Sequence, residues 1–240
     1  MRIYASFDDT DIAGAPIGTG RLARMYAATL PEHCSIWGVL RHQQLVAEGI
    51  PYTSQNSSAC VVVDVPGDAV DDTRALMTER AVDHVRQYMS DGSDPGVCIA
   101  DERDDLSALV PFGQRCTVTP VTQQDAMDAA SGVFLVGLGG TNDGIIGATA
   151  AIGLTVAGWC GRFIEFGNLR GFPDPCPVSE LHSRGVRVVS TDRNATVPAP
   201  EHMLHHNDWI RPQLWGHGPV LPVVATAPGH WTTMHTKNKK

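Results

Sequence analysis

The sequence predicts an α/β or α+β fold: a mixed sheet with packed helices, followed by a small β-rich or irregular C-terminal region. Three observations carry that expectation. Short apolar strand patterns alternate with amphipathic helical patterns up to about residue 170. Two glycine-rich turns, around Gly18 and Gly139, each follow a strand and open a helix. Beyond Arg170 the texture changes, as Pro173, Pro175 and Pro177 break the chain and Pro, His and Trp become frequent. The expected organisation is a catalytic region over 1–170 and an appendage over 171–240.

Taken in order, residues 2–7 alternate Ile3, Ala5 and Phe7 with Arg2, Tyr4 and Ser6, the period of a strand with one covered face. From Thr19 to Leu30, apolar Leu22, Met25, Tyr26 and Leu30 recur at helical spacing, and Pro31 stops the pattern. Ser35 to Leu40 and Ala59 to Asp64 read as strands. The polar loop between them, Arg41 through Ser58, is long for a hairpin and so a candidate functional loop. A helix over 67–90 places Val70, Leu76, Met77, Ala81, Val85 and Met89 on one face. Gly96 to Ala100 is a short buried strand, Leu106 to Arg115 and Gln123 to Ala130 are short helices, and Val133 to Val136 is a strand. A helix of small residues runs from Gly144 to about Ala157. In the second region Gly185 to Ser190 is a strand, and Lys237 to Lys240 reads as a solvated tail.

Composition narrows the function. The chain has 240 residues, enough for one large domain or two small ones, and no run approaches the roughly 20 apolar residues of a membrane span. Met1 to Ala5 enters a strand at once without a secretory signal, so the expected location is cytoplasmic, with no membrane partner. Six cysteines are spread without a CxxC pair; Cys60 and Cys98 read as buried thiols rather than zinc or disulfide partners. A net charge of -8 argues against a broad basic surface for nucleic acid, while leaving room for a local patch.

The chemistry concentrates in Ser6-Phe7-Asp8-Asp9-Thr10-Asp11. Folding does not require three like charges within four positions, since a turn or helix cap needs one Asp. At the carboxyl end of a strand, before Gly14, Gly18 and Gly20, the cluster suits a hard divalent cation such as Mg²⁺. The second element, Gly137-Leu138-Gly139-Gly140-Thr141-Asn142-Asp143-Gly144, lacks the P-loop pattern and a dinucleotide-binding context. It is either a backbone cradle for an anion or a tight strand–helix turn, with Gly147 and Gly153 permitting close helix packing. Asp94-Pro95-Gly96 is a turn signal, and Arg41 with His42 either meets phosphate or caps a rim.

Two other patterns compete. Asp9-Thr10-Asp11 with Asp68 and Asp72 imitates a dehalogenase-type phosphohydrolase, in which one Asp is nucleophile and the next general acid. Against it, Ala13 stands where a hydroxyl or Val belongs, and the only lysines are Lys237, Lys239 and Lys240. Among His202, His205, His206, His217, His230 and His235, His202 and His206 have a zinc-compatible helical spacing. No Glu completes the HExxH pattern and Pro200 is close, so scattered polar surface is the preferred reading.

Asp8-Asp9-Thr10-Asp11, Gly18-Thr19-Gly20, Ile50-Pro51-Tyr52, Asp94-Pro95-Gly96 and Gly144-Ile145-Ile146-Gly147-Ala148 occur in one order. Together they resemble the kinase-like and ferredoxin-like catalytic region of the archaeal tRNA-isoleucine agmatinylcytidine synthetase (agmatidine synthase) family, over roughly residues 1–170. The resemblance implies an enzyme that uses ATP and Mg²⁺ and releases AMP and pyrophosphate. It places Mg²⁺ on Asp8, Asp9 and Asp11, and makes Asp9, Asp11 and the phosphate-handling Thr19 the catalytic residues. Thr10, Gly18, Gly20, Gly139, Gly140, Thr141 and Gly144 would approach the nucleotide. This chain departs from the family where cations are expected: Thr53 and Gln55 replace a lysine and an arginine, and Asp143 replaces a basic residue. Asn56, Ser57 and Ser58 stand for a glycine-asparagine-glycine, and the family's tRNA-clasping regions have no counterpart. The expectation is therefore a ligase or phosphotransferase acting on a small molecule, without tRNA. A non-catalytic module holding a metal or anionic ligand is the alternative.

Overall fold

The computed structural model describes residues 1–50, 52, 55–206 and 208–234. Pro51 of the Ile50-Pro51-Tyr52 motif, Thr53, His235 and the lysine tail lie outside them. The chain divides into two compact units, Met1–Ala157 and Gly158–Lys240. No described helix is long and apolar enough to cross a membrane.

The first unit is α+β. Its strands are β1 (Arg2–Asp8), β2 (Ser35–Gln43), β3 (Ser57–Asp64), β4 (Gly96–Asp101) and β5 (Phe134–Gly137). They form a sheet in the order β5-β4-β1-β3-β2, every neighbouring pair antiparallel. The two ends of the predicted 41–58 loop are absorbed into it, since β2 and β3 pair as far as Gln43 and Ser57. Alternation along β1 separates the two faces. Ile3, Ala5 and Phe7 are fully buried, and Phe7 packs edge-on against Tyr26 of helix α1 (Thr19–Ala27) at 5.0 Å. Beside α1 on this face lies α2 (Val70–Tyr88), where Met77 accepts the Tyr26 hydroxyl at 2.7 Å.

The opposite face is covered by α5 (Gly144–Ala157), to which Ser6 donates through its hydroxyl at Ala148 O, 2.6 Å away. Helices α3 (Leu109–Cys116) and α4 (Gln123–Ala129) pack outside α5. A helix apolar nearly all round is stable only when enclosed, and α5 is enclosed between sheet and helices. Close approach is possible because Gly113 and Gly153 face backbone across the α3–α5 contact.

The register decides which loops meet. Asp8 lies opposite Gly96, and Gly96 opposite Gly137, so the Asp8–Asp11, 91–95 and 138–143 loops emerge at one end of the sheet. Arg2 lies opposite Asp64, which sends Asp68 and Asp72 to the other end. That separation removes the dehalogenase-type reading, whose two acidic motifs must share one site.

The second unit contains β6 (Arg162–Glu165), β7 (Cys176–Pro177), α6 (Val178–Ser183), β8 (Arg187–Ser190), β9 (Met203–His205), β10 (Gln213–Trp215), β11 (Gly218–Ala227) and β12 (His230–Thr233). Its strands run β6-β10-β11-β12-β9-β7, with β8 on β11. The β8–β11 and β9–β12 pairs are parallel, so this sheet is mixed. His202 precedes a strand rather than lying on a helix with His206, which removes the helical zinc spacing.

Candidate functional site

Asp8 ends β1 with its side chain on the α5 face. A side chain at Gly147 would occupy the space taken by the Asp8 carboxyl, and one at Gly144 would press on the Asp8 carbonyl at 2.8 Å. The next residue, Asp9, has φ 50°, a left-handed conformation rare for residues other than Gly, Asn and Asp. That twist turns the chain across the sheet end, carrying Thr10 and Asp11 from the start of α5 to the start of α1. There the Asp11 carboxylate accepts the Thr19 N–H at 3.3 Å and the Thr19 hydroxyl at 3.1 Å. The buried Thr10 hydroxyl bonds that of Thr19 at 3.0 Å, and the Thr10 carbonyl accepts the Ser90 N–H. Gly18 is the N-cap of α1, so Asp11 supplies the acceptor that Gly18 lacks.

The glycine turn interlocks with the 91–95 loop. The Asp94 carboxylate accepts the Thr141 N–H, and the Asp94 carbonyl accepts the Gly144 N–H at 2.9 Å. Gly140, at φ 57°, leaves room for the Asp94 carboxylate, while Gly139 faces Pro95 and Ser93. Gly96 and Gly144 approach so closely that neither admits a Cβ. The N–H groups of Gly144, Ile145 and Ile146 are all bonded to loop carbonyls. In this arrangement the turn works chiefly as a tight strand–helix closure, and the α5 terminus presents its dipole rather than those donors.

The loops thereby gather like charge. Burial, then the neighbouring Asp9 charge, pushes the Asp8 carboxyl up to about 8. Asp9 is raised to about 6 by burial and by the charges of Asp94, Asp11 and Asp143. Neither carboxylate forms an ion pair among the described residues. Asp94 and Asp143 are the members that sequence reading missed, because a turn signal and a residue standing for a lost cation gave no hint of convergence. Arg41 feels the Asp11 charge, which counters the lowering that burial imposes on it, and it bonds Ser57 at 2.8 Å and Gln55 at 2.6 Å.

No family model matches this chain, and no curated protein does. Solved structures do. The structure described as a tRNA fluorescent labeling enzyme shares 22% identity over 64% of this chain and 36% of its own, with a TM-score of 0.53. The complex of TiaS with its isoleucine tRNA and ATP gives 22%, 64%, 36% and 0.52. The complex of TiaS with the same tRNA, AMPCPP and agmatine gives 17% over 82% of this chain and 49% of its own, with a TM-score of 0.53. The chain has a TiaS-like fold. TiaS is the agmatidine synthetase of an isoleucine tRNA, so the expected likeness holds for the architecture. The chain spans about a third to a half of the length of these structures.

The acidic loop is where the sequence leads one to expect Mg²⁺. Among the described residues, no group of three or more His, Cys, Asp or Glu stands ready to hold a metal ion. Mg²⁺ seldom needs such a cage: one or two carboxylates suffice when phosphate oxygens and water complete the shell. Asp8 and Asp9 are adjacent, oxygen-bearing and mutually repelled, and a hard cation would relieve that repulsion. Asp11 keeps one oxygen beyond its Thr19 bonds. These residues fit a cation that arrives with its phosphates.

Proposed function

We propose that the first unit binds ATP with Mg²⁺ and transfers a phosphoryl or nucleotidyl group to a small-molecule acceptor, as an AMP-forming ligase or kinase-like phosphotransferase. One observation carries the reading: the raised carboxyls of Asp8 and Asp9, without an ion-pair partner among the described residues, lie on a segment that runs from the start of α5 to the start of α1. Both helix termini favour negative charge, so phosphates drawn there sit against carboxylates only if a cation intervenes. The TiaS complexes with ATP and AMPCPP support the nucleotide.

In this reading Asp8, Asp9 and Asp11 hold Mg²⁺, which neutralises phosphate charge when bound. Asp11 also orients the Thr19 hydroxyl and N–H, and Thr10 fixes that hydroxyl from the other side. Gly18 and Gly20 keep the α1 terminus open to close approach. Gly139, Gly140, Thr141 and Gly144 bound the opposite wall, acting through the α5 dipole and backbone shape. The acceptor is a small molecule because the chain is acidic and Gln55 and Asp143 stand where the resemblance calls for cations.

Calorimetry with ATP, with and without Mg²⁺, tests the binding, and ³¹P NMR follows turnover with candidate amine and hydroxyl acceptors. Mg²⁺-dependent binding that Asp9→Asn removes is the expected result. Failure to bind any nucleotide with Mg²⁺ or Mn²⁺ present would sink the proposal. Binding without turnover on any acceptor would favour the non-catalytic module.

A further inference from the structure

We propose that the second unit binds a small aromatic acid, a planar ring bearing a carboxylate, in a cavity of about 380 Å³ lined by Trp159, Trp215 and Arg187. Strand register builds it. Arg187 on β8 lies opposite Val220 on β11, and Trp215 on β10 lies opposite Gly218, two positions along β11. Arg187, Val220 and Trp215 therefore share a face of the sheet. Gly218 adds no side chain there, and Arg187 Nη2 donates to the Trp215 carbonyl at 2.8 Å. Trp159 converges on the same place. Its Cη2 and Arg187 Nη2 lie 3.6 Å and 3.7 Å from where a Cβ at Gly216 would stand. Val188 and Val220, both buried, supply aliphatic lining.

The lining specifies the ligand. Trp159 is 68% exposed, and among the described residues neither indole has a ring or guanidinium partner, so both offer a π face for stacking. Arg187 has no ion pair among the described residues, although the chain carries a net charge of -8. Its planar fork keeps N–H donors beyond the one given to Trp215, and that fork matches a carboxylate. His182 adds an exposed imidazole, which donates one N–H in either neutral tautomer. No lining residue is acidic, so the charge of the cavity complements an anion. The volume lies toward the small end of ligand cavities and suits a mono- or bicyclic ring. A single-stranded nucleic acid would need a basic groove along its phosphates, which one guanidinium in an acidic chain does not make.

Calorimetry of the whole chain with naphthoate tests the site, with naphthamide as the neutral comparison and cyclohexanecarboxylate as the non-aromatic one. Saturable binding of naphthoate is expected. Trp159→Ala, which removes a stacking face, and Arg187→Gln, which removes the charged donors, should each weaken it about tenfold. Both side chains are exposed, so neither variant disturbs the core. Naphthamide should bind Arg187→Gln and the parent alike, because it brings no charge for the guanidinium to meet. Arg193→Gln, at an exposed arginine of the same unit that does not line the cavity, should leave naphthoate binding unchanged. No saturable binding at millimolar naphthoate, affinity unchanged in both Trp159→Ala and Arg187→Gln, or cyclohexanecarboxylate bound as tightly as naphthoate would each overturn the proposal. So would self-association of the chain that Trp159→Ala abolishes, since the cavity would then belong to a second copy.

Discussion

Asp9 shows how a single residue can cost the folded state stability. Its carboxylate is ionised at neutral pH against the charges of Asp94, Asp11 and Asp143, at a cost to the folded state. Asparagine tolerates the same left-handed backbone and removes the charge. Asp9→Asn should therefore stabilise the ligand-free protein at pH 7 by on the order of 1 kcal/mol after solvent screening. Urea denaturation would measure the gain, and calorimetry the accompanying loss of ATP–Mg²⁺ binding. Gly147 probes the neighbouring carboxyl. Its missing Cβ makes room for Asp8, so Gly147→Ala should displace that side chain. Binding of ATP–Mg²⁺ should weaken at least about tenfold, the worth of one good charged contact. An unchanged affinity would mean that Asp8 does not touch the bound complex.

Among the elements, α5 positions the site, and its seat is built from paired glycines. Gly96 on β4 and Gly144 at the helix start exclude each other's Cβ, which locks the helix terminus over the end of β1. Gly96→Ala should cost about 3 kcal/mol by overpacking, read as a lowered urea midpoint, or should prevent folding. By contrast, α4 depends on local chemistry. Thr122 and Asp125 form a reciprocal capping box, with the Thr122 side chain accepting the Asp125 N–H and the Asp125 carboxylate accepting the Thr122 N–H. Thr122→Ala should cost about 1 kcal/mol and leave the acidic loop intact.

Across the first unit, charges are sorted by sheet end. Opposite the acidic rim, where Ile3 faces Asp101, carboxylates are paired. Asp101 is fully buried and bonds Arg103 and Arg74, each at 2.9 Å, while Asp104 also holds Arg74. The Arg103 hydrogen bonds lead in holding the Asp101 carboxyl down to about 2. A carboxylate depressed in the folded state stabilises it above the ordinary value near 3.8, and that contribution disappears as pH falls toward about 2. Denaturation midpoints measured from pH 5 to pH 2 should therefore fall less steeply in Asp101→Asn than in the parent. The variant should also be about 2 kcal/mol less stable at pH 7, because Arg74 and Arg103 each lose one of their charged acceptors and keep only Asp104 and Asp71.

Much was legible in the chain itself. Period-two alternation placed Ile3, Ala5 and Phe7 on one face, Pro31 stopped the region of α1, and small residues marked α5. The expectation of a single covered face on β1 fails, since Tyr4 and Ser6 are buried on the other side under α5. The Asp8–Asp11 cluster stood out because folding alone gives no reason to crowd those charges. Other features depended on register and approach. Only strand pairing could show that Asp94 and Asp143 join Asp9 while Asp68 and Asp72 lie at the far end, since which loops share an end follows from long-range partners. Likewise, the glycine turn read equally as cradle or closure until its N–H groups were seen bonded to loop carbonyls. Sequence alone determined the elements and the unusual charge. Tertiary structure decided which groups that charge meets, because contacts between distant residues arise only when the sheet is assembled.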